Sequence, residues 1–203
     1  ASRLGFDLPV YKTIRSFAHP SHALPNMVFV KPKGKELAEA MLEEPEELAH
    51  LSVTNSFGMP SQSPDFLLKD IEKAKNCLQK GQELLVSVVG TPNQGMSFIE
   101  DVVRAASLAK DAGAKIIEAN FSCPNVEKSE GCLYVSPDTV ARFASALVRA
   151  IHPTPLVIKV GLFENRSLMQ DVLIAAAKAG VRAVCGLNSV SMQVQTSSGE
   201  PAL

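Results

Sequence analysis

The sequence predicts an α/β fold, a (β/α)8 TIM barrel of which these 203 residues cover part, about the second to sixth barrel strands. Three observations carry the prediction. Strands that are apolar throughout, at residues 83–89, 115–120 and 155–160, alternate with segments whose apolar residues recur at helical spacing. That is the pattern of a parallel sheet covered by helices. No G-x-G-x-x-G follows any strand, so the fingerprint of an open dinucleotide-binding sheet is missing. Polar residues instead close successive strands: Lys12, Asn55, Asn120, Lys159 and Asn188. Convergence of strand tips on one site is the habit of the barrel. An open flavodoxin-like sheet is the structural alternative.

Residues 8–14 read as a short strand, apolar and β-branched. The stretch 19–32 is punctuated by His-Pro, Leu-Pro and Lys-Pro steps that forbid regular helix, with a possible small strand at 27–30. Residues 35–50 show Glu-rich helical spacing interrupted by Pro45, which predicts short helices or turns on a solvated surface. A second informative stretch, 51–60, ends in a Gly-Met-Pro turn. Ser63 and Pro64 then supply a cap and first position for a helix to about 79, closed by Gly81. Helices follow at 97–112, 138–151 (with Ser136 or Asp138 near its start) and 167–179, and a last strand at 183–188. The whole of 1–203 reads as one partial barrel domain, an internal piece of a longer chain whose first and last barrel strands are missing.

A 46% hydrophobic fraction and a net charge of -1 suit one globular domain with a substantial core. Near-neutral charge gives no footprint for nucleic acid or an anionic membrane. No apolar run approaches the ~20 residues of a membrane helix, and the first residues lack a signal-peptide pattern. The four cysteines, Cys77, Cys123, Cys132 and Cys185, are too few and scattered for a disulfide scaffold. Cys77 and Cys185 read as small buried hydrophobes, and a reducing cytoplasm is the expected location. None forms a C-x-x-C or pairs with nearby histidines, so no metal site is expected. His19 and His22 lie in a proline-rich loop without acidic or cysteine partners, which makes them surface histidines. Cys132 reads as an ordinary loop residue.

The chemistry concentrates at residues 115–125. A buried strand runs into an elbow of Asn120, Phe121, Ser122, Cys123, Pro124 and Asn125, a polar strand tip that presents a thiol. Ser122 either orients that thiol or forms the turn.

In this context the chain resembles the dihydroorotate dehydrogenase family over most of its length. Asn55-Ser56-Phe57-Gly58-Met59-Pro60 is similar to the family's Asn-Ser-x-Gly-x-Pro substrate loop. Asn120 to Asn125 is similar to its Asn-x-Ser-Cys-Pro-Asn motif. Tyr11-Lys12-Thr13, Ile158-Lys159-Val160 and Leu187-Asn188-Ser189 resemble its two lysine strands and its later Asn-Ser strand end. The resemblance implies FMN-dependent oxidation of dihydroorotate to orotate in pyrimidine biosynthesis. Cys123 corresponds to the base of the soluble class, assisted by Ser122. Asn55, Gly58, Met59, Asn120, Asn125, Asn188 and Ser189 are implied in substrate binding, and Lys12, Asn120 and Lys159 in cofactor binding. Homodimerisation and an iron–sulfur electron-transfer subunit are implied as partners, with fumarate, NAD and other acceptors all compatible. The FMN phosphate site is expected beyond Leu203.

Three departures stand out. Ser61 occupies a position where the family commonly has Asn, Gly161 replaces a proline, and the segments 20–32 and 127–135 differ from the common form. They leave open a related flavin barrel acting on another dihydropyrimidine. A flavin-free barrel lyase using Lys159 and a non-catalytic fragment are the readings from other classes.

Overall fold

The computed structural model describes residues 2–41, 43, 47–91, 95–122, 133–190 and 192–202. In chain order the strands are β1 (Val10–Ile14), β2 (Met27–Pro32), β3 (Leu37–Met41), β4 (Val53–Asn55), β5 (Leu85–Val88), β6 (Ile116–Asn120), β7 (Leu156–Lys159), β8 (Ala183–Cys185) and β9 (Gln193–Gln195). The α-helices are α1 (Pro64–Asn76), α2 (Phe98–Asp111), α3 (Pro137–Ile151) and α4 (Arg166–Lys178). They divide into two compact units, Ala1–His19 with Ser61–Asn188, and Pro20–Pro60 with Ser189–Leu203.

The larger unit holds a parallel sheet in the order β1-β5-β6-β7-β8. From β5 onward each strand is followed by a helix and then by its own neighbour in the sheet. This is the sequential order of a (β/α) barrel wall; a flavodoxin-like sheet would reverse direction within its order. The register sorts the side chains into two faces. Val86, Val88, Ile117, Ala119, Leu156 and Ile158 are at most 1% exposed and form the helix-covered core. Alternate positions carry Ser87, Glu118, Asn120, Lys159 and Cys185 on the other face. Burying one such Val, Leu or Ile is worth about 1.5–3 kcal/mol, so this division fixes the register.

The helices begin where short polar residues cap them. Ser63 accepts from the Phe66 amide before Pro64 at the first position. Ser97 and Glu100 form a reciprocal capping box at α2. Ser136 caps α3, and Asn165 caps α4, which starts at Arg166, one residue ahead of the expected 167. On the outer side of β1 the Tyr11 hydroxyl donates to Asp70 of α1 at 2.5 Å.

The smaller unit is a four-stranded sheet in the order β4-β2-β3-β9, antiparallel except for the β3–β9 pair. It corrects two expectations. Residues 37–41 are a strand, because β2 on one side and β9 on the other satisfy their backbone groups; only a short 3-10 turn, Leu48–His50, follows. Asn55 ends β4, which pairs antiparallel with β2, so it is not a tip of the parallel sheet. The cysteine expectation is corrected too. Cys77, at the end of α1, and Cys185, on the edge strand β8, are both exposed.

Candidate functional site

The site begins with the inner-face residues at the carboxyl ends of β6, β7 and β8. Register places Asn120 beside Lys159, and Lys159 beside Cys185. Asn120 is buried, and its Oδ1 accepts from the Ser122 amide at 3.3 Å and from the Ser122 hydroxyl at 2.9 Å. Ser122 Oγ in turn accepts from Asn188 Nδ2 at 2.7 Å. Asn188 is delivered by the main chain, its amide donating to Val160 O at 3.3 Å. The bonds run in one direction, amide to hydroxyl to carbonyl. Asn120 is therefore held with its oxygen toward Ser122, and its amide nitrogen is the group not committed to Ser122. Sequence reasoning named all three residues but not the bonds that join them.

Below this row lies Glu118, 2% exposed on the same face. Packing on the inner side of β8 and the adjacent Glu118 carboxylate push the Cys185 thiol up, while Lys159 pulls it the other way. Glu118 and Lys159 thus share one sheet face with Asn120, Glu118 below it and Lys159 beside it.

Lys12 enters through an irregularity. Tyr11 pairs with Val86 and Ile14 with Val88, so three steps on β1 span two on β5. This bulge takes Lys12 and Thr13 out of the regular alternation. Thr13 Oγ1 bonds Ser87 Oγ at 3.0 Å, and Lys12 Nζ donates to Thr13 O at 3.1 Å. Burial first, and the Arg15 guanidinium second, hold the Lys12 ammonium below its usual pKa.

Sequence reading passed over a buried polar clasp just beyond these tips. Arg15 Nη1 donates to Gly90 O at 3.4 Å and to Thr91 Oγ1. The Ser16 hydroxyl donates to Asp101 Oδ1, and Asp101 Oδ2 accepts from the Thr91 amide at 2.7 Å. Arg15, Ser16 and Asp101 are all at most 6% exposed. Two of the departures also find their place. Ser61 Oγ accepts from the Arg15 amide at 3.1 Å, which ties it to the end of β1. A Cβ at Gly161 would lie 2.7 Å from Tyr134 Oη, whose hydroxyl donates to Leu162 O at 2.9 Å. The Tyr134 ring occupies the space a proline would need.

Asn55, Gly58, Met59 and Ser189 fall in the smaller unit. Gly58 and Met59 are successive left-handed residues, with φ of 72° and 49°. Cys123, Asn125 and Cys132 lie outside the described residues. Among the described residues no group of three or more His, Cys, Asp or Glu could hold a metal ion.

Sequential parallel strands and a polar row at their carboxyl ends define the class: a (β/α)-barrel wall with polar side chains gathered at its strand tips. The comparisons name the relatives. A "Dihydroorotate dehydrogenase" of Dictyostelium discoideum is 40% identical over 216 aligned residues, taking in 100% of this chain and 58% of that protein. The "Dihydroorotate dehydrogenase B (NAD(+)), catalytic subunit" of Exiguobacterium sibiricum is 28% identical over 75% of this chain and 47% of its own length. The ligand-free DHODH of Eimeria tenella superposes with a TM-score of 0.67 at 16% identity, over 92% of this chain and 53% of that one. The family model "Dihydrouridine synthase (Dus)" matches residues 94–185. The resemblance to the dihydroorotate dehydrogenase family is therefore borne out across the whole chain, which spans about half the length of these relatives.

Proposed function

We propose that this chain carries part of the catalytic barrel of an FMN-dependent enzyme that oxidises dihydroorotate to orotate. The observation that supports it best is the directional chain from Asn188 through Ser122 to Asn120, beside Lys159. These groups fit a planar heterocycle: amide donors and acceptors for imide edges, and a cation for the negative charge of a reduced flavin ring. Lys12 and Asn120 complete the cofactor contacts from the described tips. When bound, FMN supplies the hydride acceptor.

Oxidation of the dihydropyrimidine removes a proton from one ring carbon and a hydride from its neighbour. Cys123, which follows Ser122 in the motif, takes the proton as thiolate. Ser122 joins the base to the asparagine network. The remaining substrate contacts fall, by the same resemblance, to Asn55, Gly58, Met59, Asn125 and Ser189. The Dus match favours a reduced pyrimidine in general, but it spans less than half of the chain, whereas the dihydroorotate dehydrogenase similarity spans all of it. A homodimer in the cytoplasm, with an iron–sulfur partner when NAD is the acceptor, belongs to the same proposal.

The test is steady-state oxidation by the purified full-length protein of dihydroorotate against dihydrouracil, with fumarate and NAD among the acceptors. Flavin absorbance and turnover of dihydroorotate are expected, with Cys123→Ser losing at least ~100-fold in kcat at neutral pH. A colourless protein that FMN does not reconstitute would sink the reading. Near-wild-type turnover in Cys123→Ser would remove the thiol from the mechanism.

A further inference from the structure

We propose that His22 is a positioning residue for the substrate loop, holding residues 56–59 in the shape that presents their backbone. This deepens the dihydroorotate reading and rests on it for the identity of the loop. The sequence gives His22 no partner, yet within the smaller unit residues 21–26 run alongside residues 56–58. The Ser56 amide donates to Asn26 O at 2.8 Å, and the His22 amide to Phe57 O at 3.2 Å. The Ser21 hydroxyl also donates to Phe57 O, at 3.2 Å. Asn26 Nδ2 closes the brace on itself, donating to Ser21 Oγ at 3.2 Å and His22 O at 3.0 Å.

The imidazole adds two contacts that the backbone cannot make. Its Nδ1 bonds Ser56 Oγ at 3.2 Å. Its other edge lies against Gly58: a Cβ built there would meet Nε2 at 2.4 Å, Cδ2 at 2.6 Å and Cε1 at 2.9 Å. Gly58 is buried although His22 is itself exposed, so the ring acts as a cover. What it covers needs support. Met59 adopts φ of 49° without being glycine, a conformation that persists only where its surroundings over-determine it. The ring pins two residues of the three before that position, Ser56 by a hydrogen bond and Gly58 by contact. Asparagine could keep the bond without the cover, and phenylalanine the cover without the bond.

The experiment uses the full-length flavin-loaded protein and two readouts. In His22→Ala the KM for dihydroorotate should rise ~10-fold while kcat stays within ~2-fold, the size expected for one lost hydrogen bond and its packing. His22→Asn should recover part of the KM change, and Ser56→Ala should reproduce part of it. Independently, hydrogen–deuterium exchange without substrate should speed up at residues 56–59 in His22→Ala. Unchanged KM together with unchanged exchange overturns the proposal, as does a loss confined to kcat. If the wild-type protein does not turn over dihydroorotate, the functional reading fails, while the exchange measurement still decides whether His22 holds the loop.

Discussion

Ser122 is the residue on which the candidate site turns. Its hydroxyl gives a bond to Asn120 and receives one from Asn188, 66 positions away. That oxygen bonds both asparagines, and the Ser122 amide also donates to Asn120. Ser122→Ala removes both bonds from a residue that is 6% exposed and leaves the Asn120 carbonyl and the Asn188 amide without this partner. Lost hydrogen bonds in such a place cost about 1–3 kcal/mol. The expected outcome is a fall of ~10- to 100-fold in kcat/KM for dihydroorotate with a thermal midpoint lowered by a few degrees at most. Unaltered kinetics would make Ser122 a turn residue only, the other role its position in the motif allows. The chemistry of Asn120 and Ser122 was legible because their types and spacing form a local turn. Their link to Asn188 was not, because no local pattern encodes which distant strand tip lies alongside. His22 was missed for the same reason: its ring meets Ser56 and Gly58, both more than 30 positions away.

Among the elements, the βα units were readable, whereas of the small sheet only the strand at 27–30, now β2, was. Apolar strands, helical spacing and serine caps are local signals, and they located β5 to β7 and α1 to α3 closely. Leu37-Ala38-Glu39-Ala40-Met41 has good helix formers at every position, yet it is a strand. Its hydrogen bonds come from β2 and from β9, which lies some 150 residues further on. Tertiary pairing overrode propensity there. Asp101 shows a related failure. In sequence it is one more acid in the first turn of a helix, favourable to the helix dipole. In the fold it is fully buried and joins α2 to Ser16 and to Thr91, just beyond β1 and β5. Asp101→Ala would strand a buried hydroxyl and a backbone amide at once. We expect it to destabilise the protein by about 3 kcal/mol in urea unfolding with an unchanged m-value. Asp101→Asn, which keeps one acceptor oxygen, should cost less. Equal and negligible losses in both variants would show that the clasp contributes little to holding the strand tips.

For the molecule as a whole, the sequence carried the architecture through the order of its strands, and charge carries the choice between its relatives. The dihydroorotate dehydrogenases match the barrel segment, and so do the dihydrouridine synthase model and a "tRNA-dihydrouridine synthase B" of Proteus vulgaris, so the fold alone does not choose between a free pyrimidine and one carried by tRNA. Binding RNA draws mainly on lysine and arginine neutralising phosphates, with a steep dependence on salt. This chain has 20 basic and 21 acidic residues and a pI near 6.5, with no excess of positive charge for that purpose. On the proposed reading the full-length protein should give no tRNA shift in a gel assay at ~50 mM salt, a condition that favours even non-specific binding. Free dihydroorotate should still bleach its flavin absorbance under the same conditions, and the rate should change little between ~50 and ~200 mM salt. A tRNA complex that weakens steeply over that range would instead place the substrate on a nucleic acid and move the reading to the dihydrouridine side of the similarity.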